Sequence, residues 1–102
     1  MFDFHFFESF KYYLLNILLI SIGSPLWRGD YEVSFQRHAL QQVVKRDVPW
    51  DLVKKTVFEG KFQRFGNDKV RIWKRFNRGT IICIGVFEQD NRIRVITVEL
   101  GR

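Results

Sequence analysis

The sequence predicts an α+β fold: one strand, two consecutive helices, then an antiparallel meander of three to four strands, with the helices packed on one face. Three observations carry this. The segment Tyr31-Glu32-Val33-Ser34-Phe35 has a period of two and gives way to apolar residues at helical intervals. Pro49 punctuates the helical region, and three long strand-like runs separated by compact turns fill the remainder.

Tyr31 to Phe35 alternates aromatic or apolar side chains with polar ones, the pattern of a short half-buried strand. From there Phe35, Ala39, Leu40, Val43 and Val44 form one helical stripe, which leaves His38, Gln41, Gln42 and Lys45 on the polar side. Arg46-Asp47-Val48-Pro49 closes this helix, because proline disfavours helical geometry in the residue before it and suits the first turn of the next helix. The second helix is expected to run to about Glu59. Asp51 lies where the helix dipole favours a negative charge, Leu52, Val53, Thr56 and Val57 turn inward, and Gly60 terminates it.

Residues 70–76, 80–87 and 92–100 then read as strands, linked by Asn77-Arg78-Gly79 and by Gln89-Asp90-Asn91. The middle run, TIICIGVF, is apolar on both parities and is the expected central strand, while its neighbours each expose one face. A shorter piece, 61–65, is the candidate fourth strand at an edge.

Residues 1–29 are assigned to an apolar N-terminal extension and 30–102 to a basic domain. Residues 12–22, YYLLNILLISI, run into Gly23-Ser24-Pro25, a break in composition. The run is too short to cross a bilayer, which takes about 18 or more apolar residues, and backward extension meets Lys11, Ser9 and Glu8. Its length suits a signal-peptide core and Ser21-Ile22-Gly23 resembles a cleavage site, but Asp3 and Glu8 spoil the positive leader. Three readings stay open: a leader or anchor, an extra helix packed on the domain, or sequence upstream of the true start. This run is the one route to a membrane that the sequence offers.

The 102 residues suit one core, and 46% hydrophobic, 27% charged and 17% aromatic residues exclude low-complexity disorder. Of 17 Lys and Arg only Lys11 and Arg28 precede Tyr31, and of 11 acids Asp3, Glu8 and Asp30 do; 15 bases then face 8 acids in the later segment. That excess of seven positive charges attracts phosphate-rich partners. Cys83 is the single cysteine, so no intrachain disulfide forms and a reducing, cytoplasmic home is expected. With His5 and His38 the only histidines, no Cys/His cluster is available for zinc; no metal and no cofactor are expected. P-loop, dinucleotide-fingerprint, nucleophile-elbow and zincin signatures are missing from the sequence.

The candidate binding residues lie in the first long strand. Lys69, Arg71, Trp73 and Arg75 share one parity, so cations flank an indole on which an unstacked base can lie, as in single-stranded nucleic-acid sites. The bland alternative is a solvated edge strand kept from aggregating by its charge. His38 is a candidate general acid or base because imidazole titrates near neutral pH, or else a capping or packing residue. Arg46 is a candidate partner eight residues on, or an exposed helix-terminal charge. Thr97, alternating with Val95 and Glu99, either points into a site or serves the sheet. Cys83, between Ile82 and Ile84, is read as a small hydrophobe.

The segments Ser34-Phe35-Gln36-Arg37-His38-Ala39, Arg46-Asp47-Val48 and Val95-Ile96-Thr97-Val98 occur in an order that resembles a widespread family of small His-Ala…Arg domains of unknown function. The match covers about residues 31–99. That family is similar in element order to the RelE and BrnT toxins, whose fold group contains metal-independent ribonucleases acting on messenger or transfer RNA. The resemblance implies a RelE/BrnT-like domain and carries functional expectation onto His38, Arg46 and Thr97. RelE-type toxins often place a tyrosine or other reactive side chain near the C-terminus, whereas this chain ends Glu99-Leu100-Gly101-Arg102.

Three functional expectations follow. The first is a toxin-like endoribonuclease in which the RNA 2′-hydroxyl attacks the adjacent phosphate, with Arg71, Lys74 or Arg75 stabilising charge and His38 moving a proton. On a regular strand Lys74 cannot share a face with Arg71 and Arg75 unless a bulge intervenes. The second is a non-catalytic module that binds messenger, transfer or ribosomal RNA through the same cations and Trp73. The third is a protein-interaction domain whose basic face docks an acidic antitoxin-like partner.

Overall fold

The computed structural model describes residues 25–101. The leader, extra-helix and upstream-start readings of the N-terminal stretch, and the 12–22 run they rest on, lie outside the described residues. The chain forms β1 (Leu26–Arg28), β2 (Tyr31–Phe35), α1 (Arg37–Lys45), α2 (Trp50–Glu59), β3 (Lys61–Phe65), β4 (Lys69–Phe76), β5 (Gly79–Glu88) and β6 (Arg92–Gly101). Among the described residues no helix is long and apolar enough to cross a membrane.

This arrangement corrects the expected one. In place of a three- to four-stranded antiparallel meander of RelE-like layout, the described chain is 53% strand and 25% helix and builds one curled six-stranded mixed sheet. The strand order is β1-β2-β6-β5-β4-β3. β2 pairs in parallel with the last strand, from Glu32↔Arg92 to Phe35↔Val95. Periodicity reports which side chains share a face, but it carries no record of which strands become neighbours. β1 adds an antiparallel edge through the tight turn at Gly29-Asp30, where Gly29 has φ +57. Leu26 to Arg28 therefore belong to the sheet, although the sequence division at residue 30 leaves them in the extension.

Both helices bury their apolar stripes on one face of the sheet. Ala39 and Val43 of α1 and Val53 and Val57 of α2 join Val33, Val70, Ile72, Ile81, Cys83, Ile93, Val95 and Val98 in a single core. Thr56 is buried among them with its hydroxyl donating to the Leu52 carbonyl at 2.8 Å, which satisfies it within the helix. α2 turns into β3 at Gly60, where a Cβ would collide with the carbonyls of Thr56 and Trp73; only glycine lets the helix end pass so close to β4.

The sheet curls toward the helices. Tyr31 on β2 and Phe62 on β3 are four strand spacings apart, about 19 Å across a flat sheet. Their rings nevertheless stack with centroids 5.9 Å apart, and Phe87 packs against both. Two arginines brace the closure: Arg64 Nη2 donates to the Tyr31 hydroxyl at 3.1 Å, and Arg28 Nη1 donates to the Val57 carbonyl at 3.0 Å.

A bulge in β6 changes the parity of the final strand. Ile84 pairs with Thr97 while Gly85 pairs with Val95, so Ile96 is the extra residue. Val95 is buried against the helices, and Thr97 emerges on the other face beside Glu99. The expected alternation of Val95, Thr97 and Glu99 along one parity is thereby broken.

Candidate nucleic-acid interface

The face of the sheet opposite the helices is built from strand register. Lys69, Arg71, Trp73 and Arg75 of β4 lie beside Val86, Ile84, Ile82 and Thr80 of β5. On the other side of β4, Arg71 pairs with Gln63 and Trp73 with Lys61 of β3. Among the described residues no helix covers this face, because α1 and α2 both pack on the buried side.

Charge is segregated across it. On the β6 side, Arg92 pairs with Glu32 at 3.9 Å and Arg94 with Glu88 at 3.2 Å. On the β3–β4 side, Lys61, Lys69, Arg71 and Arg75 form no ion pair among the described residues. Neighbouring cations without carboxylates repel one another, so this half of the face gains from an added anion.

Of these cations Arg71 and Arg75 border a groove of about 1110 Å³, lined also by Trp73, Arg78, Thr80 and Ile82, with Gly79 and Gly101 at one end. Trp73 is half-buried. Arg71 is oriented twice: its guanidinium lies 4.7 Å from the Trp73 ring centroid, and its Nη2 donates to Gln63 Oε1 at 2.7 Å. Such a cation–π pair sets the guanidinium over one face of the indole, and both an aromatic ring and a guanidinium plane are surfaces on which a base can stack. The hairpin that ends the groove depends on Gly79, which has φ +137 and lies so close to the Gly101 carbonyl that a Cβ would strike it.

The residues singled out from sequence separate into groups. Lys69, Arg71, Trp73 and Arg75 emerge together. Lys74 does not join them: it pairs across β5 with buried Ile81, points to the helix side and meets Glu59 of α2 at 3.5 Å. No bulge interrupts β4 to bring it round. Thr97 shares the open face, in the row Arg71–Ile84–Thr97, two strands from Arg71 or roughly 10 Å.

His38 is on α1 and Arg46 caps the C-terminal end of that helix, both apart from the groove. His38 is exposed on the side of the helix turned away from buried Ala39, Leu40 and Val43, so a sheet layer separates it from the β4 stripe. Arg46 Nη1 donates to the Val98 carbonyl at 3.0 Å, and the Val98 N–H donates to Gln42 Oε1 at 2.8 Å. Gln42 is therefore half-buried and engaged, not part of a solvated polar face. These bonds occur on the edge of β6 that β2 leaves uncovered after Phe35↔Val95, which gives Gln42 and Arg46 a structural task.

Sequence reasoning missed Gln63, Arg78 and Ile82. Arg78 was legible only as part of a turn, although a two-residue link puts it just beyond Arg75; Gln63 becomes relevant only once β3 is paired to β4. Cys83 is buried, and burial pushes its thiol up to about 12, which keeps it protonated and inert. Among the described residues no three His, Cys, Asp or Glu side chains converge to hold a metal ion. Comparison of the chain with protein-family models, curated proteins and solved structures finds no match.

Proposed function

We propose that the protein is an RNA-binding module that takes a single strand along β4, with phosphates on Arg71 and Arg75 and a base against Trp73. One observation carries the reading: an indole flanked on its own face by two arginines with no carboxylate paired to either among the described residues. Arginine matches phosphate oxygens in a bidentate fork, and a base stacked on an aromatic ring contributes about 1–3 kcal/mol. Duplex RNA hides its base faces, so a stacking platform favours a single strand.

Binding without cleavage is the form of this proposal. Attack by a 2′-hydroxyl needs a proton acceptor at the phosphate. Among the described residues the groove lining has no imidazole and no carboxylate, Glu99 lies two strands from Trp73 in the row Trp73–Ile82–Glu99, and His38 lies beyond the sheet.

The test is a fluorescence-anisotropy titration of a labelled oligouridylate with the full chain and with a Trp73→Ala variant. The proposal expects saturable binding that weakens by about 1–3 kcal/mol in the variant, with the oligomer intact at the end. Equal affinity of the two proteins would remove the stacking role, and shortened oligomer would restore the nuclease reading.

A further inference from the structure

The arginines of the groove are not equivalent. Arg71 is held by Gln63 and by the Trp73 ring. Arg75 and Arg78, which line the same groove, have neither a hydrogen-bond nor an ion-pair partner among the described residues. Phe76 pairs with Gly79, so Asn77 and Arg78 alone form the turn, and Arg78 follows directly on the end of the β4 stripe. Arg75 pairs with Thr80, which also lines the groove.

This end of the groove is a terminus for anything laid along β4. From Trp73 to Arg75 is one side-chain repeat, about 7 Å, and beyond Arg75 the strand turns back. A phosphate placed there meets two guanidiniums, both without a carboxylate partner among the described residues. An internal phosphodiester brings a single negative charge, whereas a phosphate monoester carries about −1.5 to −2 near pH 7 and offers three acceptor oxygens. Two arginines suit the second better, since each can take a pair of oxygens.

We infer that the hairpin end of the groove holds the terminal phosphomonoester of a single-stranded oligonucleotide, with Arg75 and Arg78 on the phosphate and the terminal base over Trp73 and Ile82. The inference rests on the RNA-binding reading and adds that the strand is held by a phosphorylated end, with the rest leading away past Arg71 and Lys69.

The experiment is competition, against a fluorescent oligouridylate on the full chain, by four unlabelled probes: tetrauridylates with a 5′-phosphate, with a 3′-phosphate and with hydroxyls at both ends, and uridine monophosphate. One phosphorylated tetramer is expected to compete about tenfold better than the hydroxyl-ended one. That ratio should shrink between pH 7.5 and 5, as the phosphate regains its second proton near pH 6. It should also fall to about one in Arg78→Ala and in Arg75→Ala, whatever their absolute affinities. Equal competition by all three tetramers, or a ratio that survives both substitutions, overturns the inference and leaves RNA binding standing. Uridine monophosphate competing as well as the better tetramer overturns the strand-end assignment. If no tetramer competes and the labelled strand itself fails to bind, the underlying reading falls too.

Discussion

Arg46 and Val98, fifty-two residues apart in the chain, are joined by a 3.0 Å hydrogen bond from the guanidinium to the backbone carbonyl. With Gln42 accepting the Val98 N–H, one side chain from α1 and one from its C-cap replace the strand that β6 lacks at this point. Leaving a partly buried backbone group unpaired costs about 1–3 kcal/mol. Gln42→Ala is expected to lower unfolding free energy by about 1 kcal/mol or more, and Arg46→Ala by about 1 kcal/mol. The two effects should be non-additive in a double-mutant cycle read by urea denaturation. Neither substitution should alter RNA affinity by more than about twofold, since both bonds lie away from the groove.

Gly79 sets the hairpin. At φ +137 and with the Gly101 carbonyl in the way of a Cβ, Gly79→Ala combines a disfavoured backbone with a steric clash. Expected destabilisation is about 2–4 kcal/mol. The same substitution at Gly66, where φ is also positive but nothing approaches the position, should cost less, about 1 kcal/mol. Thermal melts of the two variants side by side check the difference.

Cys83 links stability to alkaline pH. Its thiol is pushed up from 9.0 to about 12 by burial, so the folded state holds a proton that the unfolded chain releases. The sign is fixed by that difference: the contribution is complete below pH 9 and is lost as pH rises from 9 toward 12. Relative to Cys83→Ala, the wild type should lose stability across this window with a slope approaching about 1.4 kcal/mol per pH unit. Denaturation curves at pH 8, 9.5 and 11 measure it. A thiol reagent should also modify the native protein only as fast as the protein opens.

Lys74 distinguishes the two faces of β4. Its contact with Glu59 is a partly exposed ion pair, and such pairs contribute about 0–1 kcal/mol. Lys74→Ala should therefore change stability by under about 1 kcal/mol and leave RNA affinity within about twofold. A large loss of binding would show that the lysine reaches the groove after all.

Much of this was legible from local pattern. The stripe Ala39, Leu40 and Val43, the inward Val53, Thr56 and Val57, and the Pro49 and Gly60 boundaries each follow from spacing or backbone chemistry confined to a few residues. The shared face of Arg71, Trp73 and Arg75 likewise needs only the pleat. What escaped is non-local. The parallel β2–β6 pairing joins segments separated by both helices and three strands, and β1 is only three residues long. The curl that brings Tyr31 to Phe62 arises from the sheet as a whole. Thr97 was placed on the wrong parity relative to Val95 because one extra residue, Ile96, has no signature in the period-two pattern. His38 stands out by residue type and by its place in the His-Ala motif, and neither says which side of a sheet a helix covers.

The most direct measurement is the salt dependence of oligouridylate binding by the full chain, by Arg71→Ala/Arg75→Ala and by Lys74→Ala. For a single strand the logarithm of affinity falls with the logarithm of salt concentration by about 0.7 per phosphate contact. The double variant should therefore show a slope shallower by about 1.4 than the wild type, with Lys74→Ala unchanged. The same slope in all three proteins would contradict the account, because the phosphates would then be held somewhere other than beside Trp73.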